Sequence, residues 1–170
     1  ICIKNDGEGI KIEIHSKEKI YIPELIFGHL LTSSNYDDNK LKHVGGKNGY
    51  GAKLTNIFSK EFYIETVDNN NSKKFKQQYH NNMSIKDKPS VTKSSVKPYT
   101  LIKYTPDYSR FKTEGLSDDM ISIMEKRTYD IAAVTNKSVK VKFNKQVVPI
   151  KSFEHYINKF IGEKSNAKRV

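Results

Sequence analysis

Cysteine is almost missing from this sequence. Cys2 is the only one, so no disulfide can form within the chain, and a reducing compartment such as cytosol or nucleus fits that usage. The five histidines, His15, His29, His43, His80 and His155, are scattered without metal-ligand spacing. With no cysteine partners among them, a structural zinc site is not expected. No apolar run approaches the roughly 18 to 20 residues that a membrane-spanning helix needs. No signal peptide is visible either. Acidic residues are scarce beside basic ones: 19 Asp and Glu stand against 30 Lys and Arg, a formal net charge of +11. Such a charge attracts polyanions at long range, although lysine is spread through every segment alongside many Asn, Ile and Tyr residues, as compositional bias alone would produce.

With 170 residues, about a third of them apolar, the chain can bury one sizeable core. The opening at Ile1, directly into an apolar stretch, reads as the interior of a longer polypeptide. Residues 1–4 alternate and predict a short strand running into the loop Asp6-Gly7-Glu8-Gly9. A second alternation places Ile10, Ile12 and Ile14 on one face. Pro23 suits a helical first turn, and Ile26, Phe27, Leu30 and Leu31 follow at helical spacing. Residues 32–47 are polar and irregular and predict a long surface loop. Beyond them, Gly49 and Gly51 feed a helix carrying Ala52, Leu54 and Ile57.

Strands are predicted over residues 62–67, 75–79 and 99–104, with the lysine-rich stretch 86–98 as a hairpin connection. Ser117 caps a helix whose apolar residues Met120, Ile123, Met124 and Ile131 fall on one side. A strand at 139–143, a turn near Asn144, a short strand at 147–150 and a helix over 153–161 complete the chain. Strands with a few helices, not strictly alternating, predict an α+β sandwich with helices over one face of a mixed sheet.

Two glycine loops carry the chemistry. In the first, Gly7 and Gly9 let the backbone approach a flat ligand, and Asp6 could accept a hydrogen bond from an exocyclic amine. Asp-Gly turns are common, so this tetrapeptide alone is weak. The second loop, residues 45–54, is more specific. Amides freed at Gly45, Gly46, Gly49 and Gly51, at the start of a helix, form an anion cradle to which Lys47 and Lys53 add charge. It is not a P-loop, because Gly51 is followed by Ala52-Lys53-Leu54 and no Mg²⁺-binding hydroxyl stands where that motif needs one. The ordinary reading of Lys53 is a solvated helix lysine; its place beside the cradle favours phosphate contact.

Three blocks in order, residues 5–10, 30–38 and 45–54, resemble the ATPase domain of eukaryotic type II DNA topoisomerases, and the resemblance extends over essentially the whole chain. That family belongs to the GHKL superfamily, whose Bergerat fold is an α/β sandwich holding ATP under a mobile lid. By this resemblance Asp6 recognises the adenine amino group, with Gly7 and Gly9 shaping the turn. Ser33, Ser34 and Asn35 contact ribose and phosphates, although on their own they read equally well as turn residues. Lys47, Asn48, Gly49, Tyr50, Gly51, Ala52 and Lys53 wrap the phosphates. Thr100 matches a threonine that helps bind adenine.

Lys47 stands where the family usually has arginine, keeping the charge and losing the bidentate fork. Lys11 replaces a usual proline. The resemblance also implies that the water-activating glutamate and the asparagine that holds Mg²⁺ lie before Ile1, and that a transducer lysine lies beyond Val170. No catalytic residue or metal ligand is therefore expected within the chain, and negligible hydrolysis by the chain alone is expected. The implied division is 1–150 for the ATPase domain, lacking its first helix and strands, and 151–170 for the start of the connection to the transducer.

The implied cofactors are ATP and Mg²⁺, and the implied partners are DNA and a second copy of the parent enzyme, in the nucleus. The competing readings are another GHKL ATPase of chaperone or mismatch-repair type, against which residues 33–36 argue, and a non-enzymatic basic nucleic-acid module. No aromatic stacking pattern supports the latter.

Overall fold

The computed structural model describes residues 1–30 and 48–162. The chain divides into two compact units, Ile1–Lys112 and Thr113–Val170.

The first unit is a sheet with short helices against its inner face. Strand β1 is Cys2–Asn5, helix α1 is Ile22–Gly28 and helix α2 is Gly51–Ile57. Strands β2 (Ser59–Asp68), β3 (Lys73–His80), β4 (Ile85–Lys86), β5 (Ser90–Lys93) and β6 (Tyr99–Pro106) follow. Their spatial order is β1-β6-β2-β3-β4, with β5 also on β3. Every pairing among these strands is antiparallel, where the sequence predicts a mixed sheet.

Period-two alternation decides the faces. Along β2, Phe62, Ile64 and Thr66 turn inward, while Tyr63 and Glu65 turn outward and stay partly exposed. Phe62 and Ile64 join Ile12, Phe27, Phe75 and Tyr79 in one core cluster. Phe27 and Phe62 pack with ring centroids 5.9 Å apart, which fixes α1 on the sheet.

Several sequence expectations change here. Residues 10–14 form no strand beyond an isolated bridge from Ile14 to Tyr21. Ile12 is buried but Ile14 is exposed, because this segment is held by side chains of β2 and not by a ladder. Helix α1 ends at Gly28, so Leu30 is exposed, and the buried residue that the spacing missed is Leu25. Leu31 and the expected loop 32–47 lie outside the described residues. The supposed connection 86–98 contains β5, whose Val91 pairs with Phe75 and packs on the core.

In the second unit, helix α3 (Asp118–Val134) begins where Ser117 Oγ accepts the Met120 amide at 3.2 Å. Strands β7 (Lys142–Phe143) and β8 (Gln146–Val147) are joined by Asn144 and Lys145, both with positive φ, as a tight primed hairpin turn requires. Helix α4 (Phe153–Ile161) is capped by Ser152, whose Oγ accepts the His155 amide. The unit's core is Ala133, Val148 and Ile150, packed by Tyr129, Val141, Phe143 and Tyr156. The expected apolar stripe on α3 does not form it: Met120, Ile123 and Ile131 are exposed.

Candidate functional site

The loop after β1 is clamped to the end of β2. Thr66, fully buried, accepts the Ile10 amide on its Oγ1 at 2.9 Å, and Asp68 Oδ2 accepts the Ile12 amide at 2.9 Å. Asp68 also accepts the Asn70 amide and the Asn71 side chain, closing the β2–β3 turn. Burial alone would raise its pKa, but these donors, the Ile12 amide foremost, hold it below the usual carboxylate range.

Gly9 makes the clamp possible. Its φ is +78°, and a Cβ there would stand 1.9 Å from the Val67 carbonyl oxygen. Only glycine fits so close beneath β2. Gly7 is shaped by a turn in which its amide donates to Asn5 Oδ1 at 3.3 Å. Asp6 and Gly7 are left exposed at the strand end.

Thr100 lies beside this loop, because Asn5 of β1 pairs directly with Thr100 of β6, and Thr66 of β2 pairs with Thr100 from the other side. Its Oγ1 is 3.0 Å from Thr66 Oγ1. Thr66 and Asp68 were not singled out in the sequence. The available signal was phase: a hydroxyl and a carboxylate continuing the inward positions of Phe62 and Ile64 require buried partners.

The second loop enters α2. Gly49 has φ +67°, and Gly51 is the first helical residue. Among the described residues, a Cβ at Gly51 would meet nothing within 4 Å, so none of them demands glycine there. Lys53 is 2 % exposed, and its Nζ donates to the Gly49 carbonyl at 2.8 Å. It is not a solvated helix lysine. Desolvation lowers its pKa. Asn56, fully buried, donates from Nδ2 to the Phe27 carbonyl at 3.1 Å and ties α2 to α1.

The two loops share one core. Ile10, next to Gly9, and Ala52, next to Gly51, both pack on the cluster of Ile12, Phe27, Phe62, Ile64, Phe75 and Tyr79. Asp6, Gly7, Gly9 and Thr100 thus form one group, and Gly49, Gly51, Ala52 and Lys53 another, on a shared core. Asn48 and Tyr50 flank the second group, and Tyr50 is 40 % exposed. Ser33, Ser34, Asn35 and Lys47 lie outside the described residues.

A cavity of about 560 Å³ lies elsewhere, lined by Cys2, Glu61, Tyr63, Gln78, Lys103 and Thr105 among others. It follows a cross-strand row on the outer face of the sheet, Cys2 to Lys103 to Tyr63 to Gln78, and none of the expected site residues lines it. Among the described residues, no group of three or more His, Cys, Asp or Glu is placed to hold a metal ion. No helix among them is long and apolar enough to cross a membrane.

This antiparallel sheet, with helices on its inner face and two glycine loops packed on one core, is the fold of a GHKL-type ATPase domain. No protein-family model matches the chain. The chain is 48% identical over 169 residues to DNA topoisomerase 2 of Arabidopsis thaliana, covering 99% of this chain and 12% of that protein. It is 49% identical over 162 residues to DNA topoisomerase 2 of Saccharomyces cerevisiae, covering 95% of this chain and 11% of that protein.

The crystal structure of the ATPase region of Saccharomyces cerevisiae topoisomerase II superimposes with a TM-score of 0.87 at 49% identity, over 92% of this chain and 42% of that one. The ATPase and transducer domains of DNA topoisomerase II from Balamuthia mandrillaris match with a TM-score of 0.86 at 44% identity, over 92% of this chain and 41% of theirs. The chain belongs to the DNA topoisomerase 2 family and corresponds to part of its ATPase region. It spans about an eighth or less of the length of these curated relatives.

Proposed function

We propose that this chain is the adenine-nucleotide grip of a type II DNA topoisomerase, in which ATP binding and hydrolysis drive closure of a protein gate and passage of one DNA duplex through another. The observation that carries this reading is the convergence of two loops on one core, one ending in an exposed carboxylate at Asp6 and one in glycines and a buried lysine.

The residues fit a nucleoside triphosphate. Asp6, with Thr100 beside it, accepts from the exocyclic amine of the base, and Gly7 and Gly9 keep that wall thin. The open space at Gly51 is where a side chain would obstruct a phosphate while obstructing nothing in the protein. Lys53 supplies positive charge in a desolvated position, where its interaction with an anion is stronger than in water. Asn48, Gly49, Tyr50 and Ala52 complete the wrap, together with Lys47 and, at the ribose and phosphates, Ser33, Ser34 and Asn35.

When bound, ATP supplies the phosphoryl-transfer free energy; the residues of this chain bind and orient it. Mg²⁺, DNA, a second copy of the parent enzyme and a nuclear location belong to the same proposal for the whole protein. The division into an ATPase part over 1–150 and a connecting segment over 151–170 belongs to it as well.

Calorimetric titration of ATP into the chain and into its Lys53→Ala variant is the test. Loss of a charge-assisted contact is expected to weaken binding about tenfold or more. An unchanged affinity in the variant removes Lys53 from the site. The absence of any binding to the unmodified, folded chain removes the nucleotide reading.

A further inference from the structure

His80 stands between two carboxylates. On the outer face of the sheet its Nδ1 lies 2.7 Å from Glu61 Oε2 on β2, and its Nε2 lies 3.2 Å from Asp87 Oδ2, just past β4. An ionised carboxylate can only accept, so both contacts are hydrogen bonds only when both ring nitrogens carry a proton. The neutral ring has a single N–H, and its other nitrogen would set a lone pair against a carboxylate lone pair. The arrangement is therefore that of the imidazolium. The two carboxylates raise the His80 pKa above its ordinary value, through the Glu61 hydrogen bond first and the Asp87 bond second.

The lysines around the ring are directed elsewhere: Lys76 of β3 to Glu65, Lys86 of β4 to Glu24 and Lys60 of β2 to Asp107. Lys103 of β6 lines the outer-face cavity together with Glu61, and Gln78 donates to the same Glu61 oxygen at 2.7 Å.

The element held by this contact is β4. It has two residues and two register pairs to β3. Next to it the Asp87 amide donates to the Gln78 carbonyl at 3.0 Å, and Gln77 Nε2 donates to the Asp87 carbonyl at 3.0 Å. From β4 itself, Lys86 Nζ donates to Glu24 Oε1 at 2.6 Å, and Glu24 is a buried residue in the first turn of α1. The strand beside His80 thus also pins a helix of the core.

We infer that His80 is a proton-operated clasp: protonated, it fastens β4 to β2 across β3, and on losing its proton it releases Asp87 and loosens the anchorage of α1. Asp87 is the partner released, because its bond is the longer of the two. A group whose pKa is raised on folding contributes stability that is fully present below its unfolded value, about 6.5, and is lost as pH rises through the folded one. The clasp is accordingly closed in mild acid and opens above about pH 6.5. It uses none of the nucleotide-loop residues.

NMR of the chain from about pH 5 to 9 tests it, with the ring signals giving the His80 pKa and hydrogen exchange giving the protection factor of the Asp87 amide. The ring is expected to titrate above about 6.5. Across that titration the Asp87 protection factor is expected to fall about two- to fivefold, the loss of one partly exposed charged contact, while amides of β6 keep theirs. Asp87→Asn offers the neutral ring a donor, so the amide at position 87 is then expected to be equally protected on both sides of the titration.

A ring pKa at or below about 6.5 overturns the inference. So does a pH-dependent loss of protection that persists in Asp87→Asn. An equal loss in every strand also overturns it, since that is loosening of the whole sheet and not release of one edge. If Asp87→Asn fails to fold, as circular dichroism shows, His80→Gln decides: disappearance of the pH step supports the clasp, and a retained step overturns it.

Discussion

Gly9 and Gly51 are the same residue type in two loops of the same site, and the structure sets them opposite tasks. A Cβ at Gly9 collides with the Val67 carbonyl and must sit at positive φ, so Gly9→Ala is expected to destabilise the first unit by about 2 kcal/mol or more, measured by urea unfolding. At Gly51 a Cβ meets no atom of the described residues within 4 Å. Gly51→Ala is therefore expected to leave stability unchanged or raise it by under about 1 kcal/mol, and yet to weaken ATP binding at least about tenfold. A Gly51→Ala variant with unimpaired ATP binding would mean that phosphate does not approach there. The positions of both glycines were legible in the sequence; which one the backbone needs was not, because that depends on where Val67 lies. Lys53 teaches the same lesson. Its neighbours marked it as a phosphate contact, but its burial and its bond to Gly49 follow from how α2 seats on the sheet.

Among the elements, strands were easiest to read where both faces speak. Residues 62–67 are rich in aromatic and branched side chains, and β2 forms there with Phe62 and Ile64 inward. Strand β5 was missed because its four residues carry two hydroxyls and a lysine, and only Val91 reports the core. The segment 10–14 shows the reverse error: its alternation is real, but Thr66 and Asp68 satisfy its amides where a neighbouring strand would otherwise do so. The exposed stripe on α3 arises because Ala133 and Tyr129, not the larger aliphatic residues, face the β7–β8 hairpin.

On the outer face of β2, Glu65 has a defined pH signature. Burial would raise its pKa, but hydrogen bonds from Tyr63 and Tyr99 and the Lys74 ammonium 3.0 Å away outweigh that and hold it at about 2. A carboxylate depressed on folding contributes stability above its unfolded pKa of about 4 and loses it as pH falls toward the folded value. Stability of the first unit is thus expected to drop between about pH 4.5 and 2. Glu65→Gln is expected to flatten that slope, as followed by thermal unfolding across the range; an unaltered slope would show that other carboxylates control it.

At the scale of the molecule, the three resembling blocks were read in order from the sequence, and the fold they imply is the one observed, with 92% of the chain superimposing on a topoisomerase II ATPase region. What a linear reading could not supply is the shared core, since Ile10 and Ala52 pack on one cluster only once the sheet has formed. That one nucleotide engages both loops is the central claim, and amide-resolved NMR during an ATP titration tests it most directly. The amide signals of Gly7, Ile10, Gly49, Gly51 and Lys53 are expected to shift together along one binding curve with one dissociation constant. Shifts confined to one loop, or two curves with different midpoints, would contradict a single shared nucleotide site.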